Sequence, residues 1–309
     1  MTAGPADLSA SIRRRLLNLS RANGEDHQLL LTRFALERLL ARLSASKHRD
    51  RFVLKGALLF RLWSEHPHRA TRDLDLLGTG DSSTPTLVTT FAEIVATPVE
   101  PDGLSFDSRQ IAARPIREGA RYNGVRLTIP AQLGKTRFRL QVDVGFGDAV
   151  LPRPRLANYP TALDHTPPRI KVYPPEAVVA EKLEALVSLG MVNSRMKDIH
   201  DLWTLAADRA FAGSSLCQSI EATFRRRGTA IPESPPIALT AEFSTDRSRV
   251  TLWRAFLART ALDEPSDLQD AIGKVARFTW PVLKTIAADK GELWHRSWQP
   301  GGPWRADGR

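Results

Sequence analysis

The stretch "HRATRDLDLLG", residues 68–78, decides how this chain is read. Its charged and apolar residues alternate through Asp73, Leu74, Asp75 and Leu76 and stop at Gly78, the pattern of one short half-buried strand. Strand side chains alternate between faces. Asp73 and Asp75 therefore leave the same face, with Cα atoms roughly 6.5–7 Å apart. Two carboxylates so placed repel and raise each other's pKa, and a divalent cation between them removes the conflict. The other explanation is a solvated strand whose two aspartates simply face water.

Outward from this strand, the chain falls into two parts. Ahead of it, residues 6–22 and 26–46 predict helices; Leu29, Leu30, Phe34, Leu36, Leu39 and Leu40 recur at helical spacing in the second. "RFVLKGALLFRLW" follows, apolar apart from its ends and a Lys55-Gly56 step. After the strand, the polar "GTGDSSTP" loop leads to a helix over about 86–96. Three strand-like runs come next, "LSFDSRQIAAR", "YNGVRLTIPAQ" and "TRFRLQVDVGFG", which suggest a meander around the first strand with one face against the helices. The proline-rich residues 149–175 read as a crossing linker. Beyond it the pattern is helical: from Pro175 to Gly190, over "SRMKDIHDLWTLAAD", and over 214–226, 246–262 and 266–288. The Gly/Pro-rich tail "WQPGGPWRADGR" is expected to be loosely held. The expected division is an α/β domain over 1–160 and a mainly helical domain over 161–309.

Composition narrows the chemistry. The 309 residues are 42% hydrophobic and 25% charged, as in ordinary globular proteins. Lys and Arg number 44 against 34 Asp and Glu, a net charge of +10 that favours a polyanionic partner. Cys217 is the one cysteine, which excludes an intramolecular disulfide; its apolar setting makes it core rather than nucleophile, and a reducing cytoplasm is the expected location. No run approaches the ~20 apolar residues of a membrane span. The first twenty residues lack a signal peptide's apolar stretch and read as an amphipathic helix.

Two further regions carry candidate chemistry. Asp143 sits mid-strand in "RLQVDVGFGD" between Val142 and Val144, where a charge needs a partner or a metal. It either joins Asp73 and Asp75 in a three-carboxylate cluster or pairs with an arginine. Asp148 reads as a turn or cap residue. In "AEKLEALVSLGMVNSRMKDIHDLW", an antiparallel helix pair would bring Lys182 back toward Asp198. Lys182 could then meet phosphate oxygens as a point charge, with Asp198 orienting it. Ordinary surface charge pairs explain the same pattern.

Taken in order, "VLKGALLFRLW", "RATRDLDL", "LQVDVGFGD", "YPPEAVVAEKLEAL" and "SRMKDIHDLW" resemble the AbiEii/AbiGii-type toxin nucleotidyltransferases, over roughly residues 28–206. These are toxin halves of type IV toxin–antitoxin pairs and include mycobacterial toxins that add nucleotides to tRNA. The resemblance implies a DNA polymerase β-like nucleotidyltransferase fold of α/β (α+β) class, with a mixed sheet and a helical C-terminal half contributing Lys182 and Asp198 to the site. It implies Asp73 and Asp75 as catalytic metal ligands and Asp143 as the third carboxylate. Lys55 and Gly56 match the glycine motif, and Lys182 and Asp198 the downstream catalytic or nucleotide-binding pair. Arg69 and Thr71 would lie near the triphosphate, and a phosphate on Thr71 would set negative charge beside the carboxylates and shut the site. Ala57 departs from the family's Gly or Ser there, which removes a hydroxyl contact, and Asp201 competes with Asp198. Arg225, Arg226 and Arg227 could meet an RNA backbone, or simply favour a helix C-terminus.

The implied activity is Mg²⁺-dependent transfer from an NTP, with a pyrimidine preference by analogy, to the 3′ end of tRNA. Growth arrest would follow, countered by a cognate antitoxin, with no membrane partner. Two other readings use the same residues: a small-molecule nucleotidyltransferase of antibiotic-modifying type, and a non-catalytic basic nucleic-acid-binding module. No glycine-rich phosphate loop of P-loop or kinase spacing is present.

Overall fold

The computed structural model describes residues 5–63, 69, 71–117, 123–260, 262, 264–265, 267–288 and 292–306. Position 266, where the last long helix was expected to start, and the final three residues of the tail lie outside them. The chain divides into two compact units, residues 1–147 with 155–173, and residues 148–154 with 174–309.

Unit 1 opens with α1 (Pro5–Asn23) and α2 (His27–Ala45). The Asp26 carboxylate accepts the Leu29 N–H at 2.8 Å and caps α2. Strand β1 (Phe52–Lys55) runs into Gly56 and a 3₁₀ turn over Ala57–Leu62. Then come β2 (Asp73–Gly78), α3 (Thr84–Ala96), β3 (Leu104–Phe106), β4 (Ala112–Arg117), β5 (Asn123–Leu133), β6 (Thr136–Phe146), β7 (Arg155–Asn158) and β8 (Arg169–Val172). The eight strands form one sheet in the order β3-β5-β6-β2-β1-β8-β7, with β4 sharing an edge of β5. It is mixed: β2 is parallel to β6 and β1 to β8, and the other pairs are antiparallel. Leu74 and Leu76 on β2, and Phe138, Leu140, Val142 and Val144 on β6, are buried on one face with Leu36, Leu39 and Phe91 of the helices. Burying that face is the main driving force for unit 1.

The three runs after α3 form the expected antiparallel meander, β4-β5-β6, with β2 beside β6 and parallel to it. Three other expectations change here. "LSFDSRQIAAR" is not one strand. The Asp107 carboxylate accepts from Arg109 N–H and Gln110 Nε2, which bends the chain between β3 and β4. The proline-rich segment is not a plain linker either: it supplies β7 and β8, and the buried Tyr159 hydroxyl donates to the Leu58 carbonyl. Where the sequence put a boundary at residue 160, the chain stays in unit 1 until Tyr173, since β8 pairs with β1.

Unit 2 holds α4 (Pro175–Leu189), α5 (Met196–Asp208), β9 (Phe211–Ala212), α6 (Gly213–Arg227), α7 (Ala241–Thr245), α8 (Arg247–Thr260), α9 (Leu268–Ala287), β10 (Arg296–Trp298) and β11 (Trp304–Ala306). The tail is held, contrary to its composition. Trp298 is buried and its indole N–H donates to the Ala206 carbonyl at 2.7 Å, while Trp304 Nε1–H donates to the Phe278 carbonyl at 3.0 Å. Two tryptophans outweigh the glycines and prolines around them. Cys217 is buried, and burial pushes its thiol up to about 11. No helix among the described residues is long and apolar enough to cross a membrane.

Candidate active site

In unit 1 the site is built on three adjacent strands. Asp75 of β2 stands opposite Lys55 of β1 on one side and Asp143 of β6 on the other; Asp73 stands opposite Gln141. Asp73 and Asp75 are half-buried, while Leu74 and Leu76 between and beyond them are buried, as the alternation predicts. Gly56 makes this packing possible. Its φ of 75° lies where L side chains rarely go, and a Cβ there would fall 2.0 Å from Asp75 Oδ2 and 2.8 Å from Asp75 Cβ. The glycine thus turns the chain out of β1 and leaves the volume that the Asp75 side chain fills.

Asp143 has the arginine partner that the sequence left as an alternative. Arg126, directly across on β5, donates from Nε to Oδ1 at 2.8 Å and from Nη2 to Oδ2 at 2.7 Å. This two-pronged contact fixes the plane of the carboxylate. Among the described residues no group of three His, Cys, Asp or Glu side chains is arranged to hold a metal ion. Asp143 thus stands in register beside the Asp73–Asp75 pair with an arginine on its own carboxylate. The pair by itself suits Mg²⁺, which takes one or two protein carboxylates and completes its shell with phosphate oxygens and water.

The remaining unit 1 candidates lie around these strands. Lys55 Nζ sits 5.5 Å from the Tyr173 ring centre. Ala57 is buried in the 3₁₀ turn. The Thr71 hydroxyl lies 3.4 Å from both the Asp73 amide nitrogen and its carbonyl oxygen, just ahead of the pair, and Arg69 is half-buried.

In unit 2, α4 and α5 bring Lys182 to Asp198 and Asp201 at once. Its Nζ is 2.7 Å from Asp198 Oδ1 and 2.7 Å from Asp201 Oδ2, and Arg195 Nε is 2.8 Å from Asp198 Oδ2. Both carboxylates are buried. Burial alone would push the Asp198 carboxyl up; Lys182 and Arg195 outweigh it and hold it below the ordinary range, with Asp201 opposing them in part. The competition between Asp198 and Asp201 thus ends with both on one lysine.

The arginine run of α6 divides. Arg225 pairs with Glu221 one turn back and Arg226 is exposed. Arg227 is engaged inside unit 2 with Glu184 at 2.7 Å, Glu181 at 3.6 Å and Asp148 at 3.7 Å, so it is a packing cation rather than a surface one. Asp148, read as a turn or cap residue, belongs to this group. Sequence reading missed Arg126 and Arg195. The signal for Arg126 was present, one cation at an alternating position in the apolar run "GVRLTI".

A mixed sheet with a glycine turn leading out of β1 and a carboxylate pair on the neighbouring strand is the arrangement expected of a nucleotidyltransferase. The family described as "Nucleotidyl transferase AbiEii toxin, Type IV TA system" matches residues 38–278, more than half of the chain, and the chain belongs to that family. Two solved structures from Helicobacter pylori are similar. One is provisionally described as a nucleotidyltransferase, with 14% identity and a TM-score of 0.49 over 86% of this chain and 100% of its own. The other, JHP933, has 14% identity and a TM-score of 0.47 over 85% of this chain and 95% of its own. No curated protein matches the chain.

Proposed function

We propose that this chain is the toxin of a type IV toxin–antitoxin pair and transfers a nucleotide from an NTP to the 3′ end of tRNA. The observation that carries this reading is the Asp73–Asp75 pair on β2, shaped by Gly56 and flanked in register by Asp143 and Lys55. The net charge of +10 favours a nucleic-acid acceptor over a neutral small molecule.

In the proposed reaction the acceptor hydroxyl oxygen attacks the α-phosphorus, the bond from that phosphorus to the α–β bridging oxygen breaks, and pyrophosphate leaves. Asp73 and Asp75 would hold Mg²⁺, which when bound neutralises charge on the phosphates. Asp143 accepts the hydrogen bond of the attacking hydroxyl and takes its proton as the new P–O bond forms. Oδ2 accepts from both Arg126 and Gln141, so Oδ1 keeps the lone pair for this contact, and the guanidinium keeps it aimed. We assign Lys55, Arg69 and Thr71 to the triphosphate, and in unit 2 Lys182, oriented by Asp198 and Asp201, as a cation suited to phosphate oxygens. Catalysis is then mostly positioning and charge stabilisation. The cellular consequence is blocked translation and growth in the cytoplasm, relieved by a cognate antitoxin.

The test incubates full-length protein with total tRNA, Mg²⁺ and each labelled NTP in turn, beside Asp73→Asn and Asp75→Asn. Label on tRNA that both variants abolish supports the reading. No label with any of the four NTPs overturns it, as does transfer that survives both substitutions.

A further inference from the structure

The strand register draws a line of charge across the open face of the sheet. Arg114 of β4 faces Arg126 of β5, Arg126 faces Asp143 of β6, Asp143 faces Asp75, and Asp75 faces Lys55. Residues paired across strands share a face, so these five lie on one side. Moving back along β6 on that side, the alternate positions are Gln141, Arg139 and Arg137, with Lys135 in the turn before the strand. The other side of β6 is the buried Phe138, Leu140, Val142 and Val144.

Lys135, Arg137, Arg139 and Arg114 are all exposed, and among the described residues none of them makes an ion pair. Their cross-strand neighbours give no compensation: Arg139 faces Pro130 and Arg137 faces Gln132. The acid bordering this face, Asp107, is occupied by the turn that it caps. Charges on a sheet commonly guard against edge-to-edge pairing, and Arg137 and Arg139 lie at the start of β6, where β5 pairs on one side and β2 joins the other only from Gln141 onward; a guard accounts for their charge but not for their alignment with Asp143 on the face of the carboxylate pair. Like charges spaced along one strand face repel weakly in water, and a polyanion laid over them is attracted by all of them at once.

We propose that this face of β6 is a phosphate ladder that holds the backbone of the nucleic-acid acceptor, its 3′ end at Asp73 and Asp75. The inference rests on the reading that the acceptor is a nucleic acid. Alternate residues on a strand repeat every ~6.7 Å, comparable to the step between successive phosphates of an extended single strand. Arg139 and Arg137 lie four and six residues from Asp143, roughly 13 and 20 Å along the strand, so they meet phosphates two to three nucleotides back from the reacting end. Arg114 widens the ladder at its reacting end. Phosphate contacts of this kind set register without reading sequence.

The test is fluorescence anisotropy of full-length protein with a short 3′-hydroxyl single-stranded RNA carrying a 5′ fluorescein, over a salt series. It is run beside the transfer assay with total tRNA. Arg137→Gln/Arg139→Gln should lower the slope of log Kobs against log salt by about 1.4, or about 0.7 per phosphate lost. Arg137→Lys/Arg139→Lys should restore it, and Arg254→Gln, at an exposed arginine of unit 2, should leave it unchanged. Matching circular dichroism melts show that all variants are folded. An unchanged slope in the double Gln variant overturns the ladder, as does an equal drop with Arg254→Gln or a failure of the wild type to bind the RNA at low salt. An acidic protein as the true occupant would give the first of these results. Transfer to tRNA with an unchanged slope sinks the ladder and leaves the function standing. A ladder-dependent slope with no transfer sinks the function and keeps the ladder.

Discussion

Gly56→Ala is the substitution whose effect can be worked out most fully. Two separate penalties meet at this position. The backbone, at φ 75° and ψ −160°, lies in a region essentially reserved for glycine, where another residue costs about 1–3 kcal/mol. The new methyl would also sit 2.0 Å from Asp75 Oδ2, 2.7 Å from Cγ and 2.8 Å from Cβ. Swinging the Asp75 carboxylate aside relieves the first two contacts but not the third, so β2 itself must shift against β1. The backbone term alone should lower the unfolding midpoint of unit 1 by about 2–12 °C, at roughly 2–4 °C per kcal/mol for a unit of this size. Displacing a reacting group by about 1 Å should reduce transfer by about 100-fold.

A double-mutant cycle with Asp75→Gly separates the two penalties, because removing the Asp75 side chain removes all three clashes and leaves the backbone term. Urea unfolding of wild type, both single variants and the double variant, followed by far-UV circular dichroism, gives the four free energies. Gly56→Ala should be less destabilising in the Asp75→Gly background, with a coupling of about 0.5–3 kcal/mol. A cycle that closes to zero would refute the claim that the glycine exists to seat Asp75. Wild-type stability and wild-type transfer in Gly56→Ala would refute the backbone argument too.

Other perturbations follow from charges elsewhere. Lys182→Met leaves Asp198 and Asp201 buried without their shared cation and should cost about 3–5 kcal/mol in urea unfolding. Asp198 is held below its ordinary pKa, so its contribution to stability is present above the unfolded value of 3.8 and is lost as pH falls through the folded one; an acid titration of unfolding should lose that component in Asp198→Asn. Glu37 runs the other way. Burial pushes its carboxyl up to about 7, so the folded state holds the extra proton, and stability is full below about 4.5 and falls as pH rises to 7. Glu37→Gln keeps the acceptor for the Ala162 N–H and should be more stable than wild type at pH 8, by about 3 kcal/mol. Arg126→Lys keeps the charge but loses the fork on Asp143, and should lower kcat more than it raises KM. Cys217, with its raised thiol, should resist iodoacetamide at neutral pH until the protein unfolds, and Cys217→Ala should retain transfer activity.

How much of this was legible in the sequence depended on whether the controlling interaction was local. The helices were read nearly to their ends, because α2, α4, α5 and α6 are set by periodic leucines, an Asp26 cap, prolines at the first turn of α4 and glycines at the ends of α4 and α6. The facing of Asp73 and Asp75 was legible for the same reason, since alternation needs no knowledge of neighbours. What could not be read was pairing across the chain. Nothing near residue 170 announces that Arg169–Val172 will lie parallel to β1, and prolines on either side of a four-residue strand look like those of a linker. The Arg126–Asp143 contact spans 17 positions and is decided by the β5–β6 register. The tail was misjudged because glycine and proline counts say nothing about where an indole N–H finds a carbonyl.

The unit 2 cluster bears on whether these acids serve the fold or the chemistry. Lys182 and Arg195 against Asp198 and Asp201 are two positive and two negative charges, of which Lys182 and the two carboxylates are largely withdrawn from water while Arg195 reaches the surface. Such a balanced group seldom holds a fold together better than apolar side chains of equal volume, because desolvation offsets most of the attraction. Its retention in a helix pair otherwise rich in Leu, Val and Ala therefore calls for something that apolar packing cannot give. A lysine fixed between two carboxylates keeps its charge and a defined direction, which a solvated surface lysine loses to rotamer entropy. The same reasoning covers Arg126 on Asp143, where the fork fixes one carboxylate plane at the strand position beside Asp75. In both units the chain uses paired charges where a direction must be held and apolar packing where only stability is required.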